Sequence, residues 1–207
     1  MAMMFLLFFF SVWGGGHAYI AWRLIRPLAP ANPWRRRGWL LLACSLLIVP
    51  AALFGRFTRI NPEFIDALAW VAYLDMGFFL VLVPLLVARD LGWLTFGLAG
   101  TLLRRFNGSD SPVAPADTGR RRFLANGVNA GLFGLTGSMT AAGYYEARRL
   151  AAVRHITIPV AGLPDDLQDF HIVQLSDIHL GPTIKRDYLQ GVVERTNELH
   201  PDLVAIT

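Results

Sequence analysis

Apolar positions dominate the first 145 residues, in long blocks separated by short stretches that carry most of the arginine. A helix needs roughly twenty apolar residues to cross a bilayer. Met1–Trp22, Gly38–Gly55 and Phe64–Ala88 each come close to that, with Pro50 inside the second. Phe123–Tyr145 has the length, but it is less oily and rich in Gly and Ala. Leu91–Leu103 is apolar yet too short to span comfortably, so it reads as a separate interfacial or re-entrant helix. The pattern therefore predicts a transmembrane helical region over residues 1–106, with about three spans and one short interfacial helix. A linker over 107–122 follows, rich in Gly, Ser, Asp and Pro and ending in Arg120-Arg121-Arg122. Residues 123–146 make a fourth span.

From Arg154 the periodicity changes. His155–Val160 is strand-like, and Gly162-Leu163-Pro164-Asp165-Asp166 is turn-like. His171–Leu175 is nearly all apolar, which predicts a strand buried on both faces. Lys185–Leu199 carries Tyr188, Leu189, Val192, Val193, Thr196 and Leu199 on one helical face. Pro201 stops that helix, and Leu203–Thr207 is another strand. Strand, helix and strand within so short a stretch make a βαβ unit with a right-handed crossover. The expected fold class is an N-terminal α-helical transmembrane bundle followed by a βαβ part of an α/β domain.

Charge sharpens this division. Of the 207 residues, 54% are hydrophobic and only 16% are charged, whereas soluble domains carry about a quarter charged. Residues 1–149 hold fifteen Arg against seven Asp and Glu; residues 150–207 hold four Lys and Arg against eight. The basic half is thus the apolar half, which fits topology-setting loops and argues against nucleic acid as a partner. Arg23, Arg26 and Arg35–Arg37 fall in the first connection. Arg89, Arg104, Arg105 and Arg120–Arg122 fall in the third, while the second has only Arg56 and Arg59. The first and third connections should face the cytoplasm, which puts the C-terminal part on the outer face after four crossings. A fifth crossing through Leu91–Leu103 would reverse that. Gly119-Arg120-Arg121-Arg122-Phe123-Leu124 resembles a twin-arginine export signal, although ordinary positive-inside flanking of a last helix accounts for it as well. Cys44 is the sole cysteine, so the chain forms no internal disulfide.

Within the apolar half, Asp75 lies mid-way along the third span. An ionisable residue at that depth is a functional candidate by default. With no partner visible in the sequence, the reading favours an Asp that is protonated or hydrogen-bonded and serves helix packing, and His17 is read the same way. Gly127, Gly131, Gly134 and Ser138 form a small-residue face on which another helix could come close.

The candidate chemistry lies in Leu175-Ser176-Asp177-Ile178-His179-Leu180-Gly181. A carboxylate and an imidazole, one residue apart at the end of a strand, are two good ligands for a divalent transition metal. Open α/β sheets bind their ligands at that carboxyl edge. On the pair alone, a turn-capping Asp177 with an exposed His179 is an equally good reading. The block resembles the first signature of the calcineurin-like metallophosphoesterases. Ile158-Pro159-Val160, Leu163-Pro164 and Phe170–Gln174 resemble the opening of the family's membrane-anchored bacterial branch, and Pro201–Thr207 resembles the strand that runs there into a Gly-Asp block. The likeness covers residues 153–207.

The resemblance implies that Asp177 and His179 bind one metal of a two-metal centre. Carboxylate with imidazole suits Mn, Fe or Zn. Two such ions, about 3.5–4 Å apart, would activate a bridging water for attack on a phosphomonoester or phosphodiester. The implied substrate is a phospholipid or cell-envelope precursor, and the implied place is the bacterial plasma membrane with the domain on its outer face. The family's later Gly-Asp, Asn-His and histidine ligands have no counterpart in these residues. Asn197 and His200 have the wrong spacing to stand in for them, and His155 and His171 read as strand residues. The reading is thus a truncated N-terminal part of such an enzyme, inactive alone. Its rival is a non-catalytic multi-spanning protein, transporter-like or a scaffold, with a soluble tail.

Overall fold

The computed structural model describes residues 2–58, 60–106, 118–178, 180–181 and 184–207. They form two compact units, Met1–Gly143 and Tyr144–Thr207.

Every regular element of the first unit is a helix among its described residues. Helix α1, Ala2–Ile20, continues into a single π-helical turn, Ala21–Ile25, closed by the Arg26 N–H donating to the Ala21 carbonyl at 2.8 Å. Helix α2, Pro33–Gly55, starts where the Asn32 side chain accepts from the Trp34 N–H at 2.9 Å, with Pro33 in the first turn. A polar cap and a proline with preset φ both favour a helix start. Pro50 lies inside α2 without ending it. Helix α3, Pro62–Phe106, starts at Asn61, whose side chain accepts from the Glu63 N–H at 2.8 Å. Helix α4 runs over Thr118–Arg148.

Leu91–Leu103 is not a separate helix. The 45-residue α3 runs straight through it, so α3 is about 67 Å long, more than twice a hydrocarbon core of ~30 Å. Its only interior proline, Pro84, lies upstream, and Asp90, the residue placed to cap a new start at Leu91, has its carboxylate engaged by Tyr19, Arg23 and Arg89. Gly92, Gly97 and Gly100 each cost about 1 kcal/mol of helix propensity. Leu, Trp and Phe between them offset that cost, and the ladder continues. The linker residues 107–117 and Arg59 lie outside the described residues.

Met3–Ile25, Pro33–Gly55 and Pro62–Phe106 are long and apolar enough to cross a membrane by length and composition. Their outward positions agree with that: Phe8, Leu41, Leu80 and Phe96 are all well exposed. In water such a surface would be costly, whereas lipid accepts it. Inside, Trp13, Ile20, Phe79, Leu82 and Leu86 pack together. Ala52, Ala69 and Ala72 form a seam of small side chains where α2 meets α3, and small residues let helix backbones approach. Helix α4 reaches the bundle through Phe133, stacked on Phe78 at 6.1 Å, and through Leu132. It is long, but it is not among the helices that meet the apolar criterion. Its small-residue face is open: a Cβ at Gly127, Gly131 or Gly134 would touch nothing within 4 Å.

The second unit holds the βαβ element. Strand β1, Ile172–Leu175, pairs in parallel with β2, Leu203–Ile206, in the register Ile172↔Leu203 to Leu175↔Ile206. Helix α5, Arg186–Glu198, makes the crossover. It buries Val192 and Thr196, while Val193, expected on the same face, is about half exposed. Leu150 packs on α5 at Gly191, where a Cβ would come within 2.9 Å of it.

Two expectations fail in this unit. His155–Val160 forms no strand, and Ile156 and Ile158 stand in the open, 73% and 76% exposed. Pro159 lacks an N–H, and no neighbouring strand takes this segment's backbone groups among the described residues. Nor are β1 and β2 buried on both faces: Ile172 is 61% and Ile206 73% exposed. The described unit supplies two strands and one crossover helix, too little to cover both sides.

Candidate functional site

Parallel pairing sets the carboxyl ends of the two strands side by side. Leu175 lies beside Ile206, and the Thr207 N–H donates to the Leu175 carbonyl at 2.9 Å. The Gln174 amide reaches the Thr207 hydroxyl at 3.3 Å. Asp177 follows two residues after β1 at this edge, with an exposed side chain. Its φ is +60°, a left-handed conformation that costs a typical L-residue about 1–2 kcal/mol, although Asp tolerates it better than most. Such backbone strain gathers where a side chain must be aimed. The chain then turns tightly: the Leu180 N–H donates to the Ile178 carbonyl at 2.9 Å, and the Gly181 N–H to that of Ile184 at 3.0 Å.

His179, the second expected ligand, lies outside the described residues. Among those described, no three His, Cys, Asp or Glu side chains gather to hold a metal. The exposed Asp177 carboxylate suits the role of one ligand, and the remainder of a shell is not supplied by its described neighbours. His171 stands at the opposite, amino end of the sheet. Its N–H donates to the Asp202 carboxylate at 2.8 Å and its carbonyl accepts from the Asp202 N–H at 2.9 Å. His200 closes α5 with φ +45°, its N–H donating to the Asn197 carbonyl at 3.1 Å. His171, Asn197 and His200 thus serve the amino ends of the strands and lie away from Asp177.

A second polar constellation lies in the helical unit. His17, 2% exposed, accommodates the Trp13 carbonyl at Nδ1, 2.8 Å away, and the Ser45 hydroxyl at Nε2, 2.9 Å away. The Ser45 hydroxyl donates to Asp75 Oδ2 at 2.8 Å. Asp75, expected to lack relay partners, is therefore bridged to His17 through α2. The imidazole is also packed against two rings, with Trp13 at 4.5 Å and Phe79 at 4.7 Å between centroids.

A third group centres on Asp90. Tyr19 and Arg23 reach its carboxylate from the first helix and its π turn, and Arg89 donates to it at 2.7 Å. Arg89 also donates to the Asn129 side chain of α4. Arg23 and Arg89, which the sequence places in connecting loops, are helical and tied to an acid. Sequence reading overlooks Ser45, Tyr19 and Asp90. The available signals were a hydroxyl within an apolar run and the adjacent Arg89-Asp90 pair, charged residues inside a continuing apolar helix.

Comparison with known proteins adds the next observation. The chain is 30% identical to a transmembrane protein with metallophosphoesterase domain from Danio rerio, over 98% of this chain and 44% of that protein. It is 38% identical to the Bos taurus protein of the same name, over 35% of this chain and 16% of that protein. These relatives support the metallophosphoesterase family. The chain thus spans less than half the length of the curated relatives it matches. No family model matches it, and no solved structure does. The relatives are transmembrane proteins by name, which agrees with three helices apolar enough to cross a bilayer and supports membrane association.

Proposed function

We propose that the chain is the membrane-embedded front part of a metal-dependent phosphoesterase, with Asp177 and His179 as ligands to one ion of a two-metal centre. The observation that carries this reading is the position of Asp177, exposed and strained at the carboxyl edge of a parallel strand pair. The names of the relatives support it. Asp177 and His179 would hold one ion of that pair, Mn, Fe or Zn by ligand type, and the bound ions would supply water activation and neutralisation of phosphoryl charge. Asp177 contributes an anionic oxygen from a position fixed by β1, and the adjacent Thr207 edge borders the same space. The residues that would complete the centre are not among the described neighbours of Asp177. The substrate is a phosphomonoester or phosphodiester held near the bilayer, such as a phospholipid or envelope precursor. With α4 as a fourth crossing, the distribution of arginine over the connections puts the domain on the outer face of a bacterial plasma membrane.

Activity tests this reading. Full-length protein purified in detergent should cleave a generic phosphodiester when Mn is added. Asp177→Ala and His179→Ala should each lower the rate by more than about 100-fold, since weaker, outer-shell changes at metal sites already cost 10–100-fold. Undiminished cleavage in both variants would defeat it.

A further inference from the structure

We infer that buried His17 and half-buried Ser45 and Asp75 form a proton-binding relay in the membrane half, in which imidazole and carboxylate share a proton through the serine hydroxyl. The Trp13 carbonyl can only accept, so Nδ1 of His17 carries a hydrogen. A neutral imidazole has only that one, which leaves Nε2 bare. The Ser45 hydroxyl has a single hydrogen, and it is given to Asp75. Nε2 and Ser45 Oγ nevertheless stand 2.9 Å apart, and two lone pairs would not be held at that distance. In the first arrangement Nε2 donates to Ser45 Oγ, Ser45 donates to Asp75, and imidazolium and carboxylate are linked through one hydroxyl.

The alternative arrangement is reached by a concerted shift. The Nε2 proton moves to Ser45 Oγ as the Ser45 proton moves to Asp75 Oδ2. One N–H and one O–H bond break, two O–H bonds form, and the net charge stays zero. Asp75 then donates to Ser45, and Ser45 donates to a bare Nε2. Both forms satisfy all three side chains and keep Nδ1–H on Trp13. The order His–Ser–Asp places the hydroxyl between base and acid, so Ser45 conducts a proton and is not set up as a nucleophile. The next ionisable groups on these helices do not compete: Tyr19 and Arg23 are tied to Asp90, while Cys44 and Tyr73 are exposed. An isolated charge at such depth would be costly, so a neutral pair able to place its proton at either end is the economical form of a titratable site there.

This inference stands apart from hydrolysis and is read by nitrogen NMR of histidine in the full chain, labelled with ¹⁵N and held in lipid nanodiscs. In the wild type, Nε2 of His17 should be wholly or partly protonated at neutral pH. Asp75→Asn should lower its proton occupancy by about tenfold or more, because the carboxylate that shares the proton is gone. Ser45→Ala should do the same, whereas Ser45→Thr, which keeps the hydroxyl, should retain the wild-type signal. A bare Nε2 at every pH in the wild type would overturn the relay without recourse to any variant. So would an Nε2 signal identical in wild type and Asp75→Asn.

Discussion

At Gly16 the Phe79 ring of α3 lies against the backbone of α1. A Cβ there would overlap the Phe79 ring, while Gly14 and Gly15 have nothing within 4 Å. Phe79 is itself buried and stacked on His17. Gly16→Ala should therefore displace that ring and cost about 1–3 kcal/mol, the usual penalty for overpacking. Gly15→Ala should be neutral or stabilising by up to ~1 kcal/mol, because Ala outranks Gly in a helix. Thermal unfolding of the two purified variants checks the pair, and equal losses would show that the contact is not specific. Asp177 illustrates a different residue-scale lesson. Its type and place in the motif could be read from the sequence, but its left-handed backbone could not, because φ depends on how the chain leaves β1. His17 and Asp75 each stood out as ionisable residues in apolar runs. Their connection did not, since Ser45 lies 28 and 30 residues from them and meets them only once three helices pack.

At the scale of elements, hydrophobic blocks locate the helices well because lipid-facing helices are apolar on nearly every side. The βαβ unit was equally legible, from the face of α5 and the stop at Pro201. What failed was length and context. A run too short to span reads as a separate element, yet nothing in Leu91–Leu103 ends the ladder of α3. Ile156, Ile158 and Val160 alternate as a strand does, but a strand exists only with a partner. The arginine-rich connections imply an orientation, and α4 decides it. A reporter fused after Thr207 should be active on the outer face and silent in the cytoplasm if α4 crosses. A cytoplasmic signal alone would mean an odd number of crossings. The reading is sensitive to this because Arg23 and Arg89 are paired with Asp90, so fewer free charges remain to set topology than the sequence suggests.

For the whole molecule, two units place chemistry in two settings: a helical bundle with a partly buried His–Ser–Asp bridge, and a strand pair whose exposed edge carries Asp177. The wide exposure of Ile172 and Ile206 follows from the same economy of parts, since a two-stranded sheet with one helix cannot shield both its faces. The metallophosphoesterase relatives reach well beyond the length spanned here, and a metal shell drawn from the full protein is the natural complement to this edge. The most direct measurement is the metal content of the full-length protein after loading with Mn and removal of unbound ion. The account predicts about two ions per chain, with most of that binding lost in Asp177→Ala and again in His179→Ala. A wild-type protein that retains no transition ion, or variants that retain as much as wild type, would contradict it.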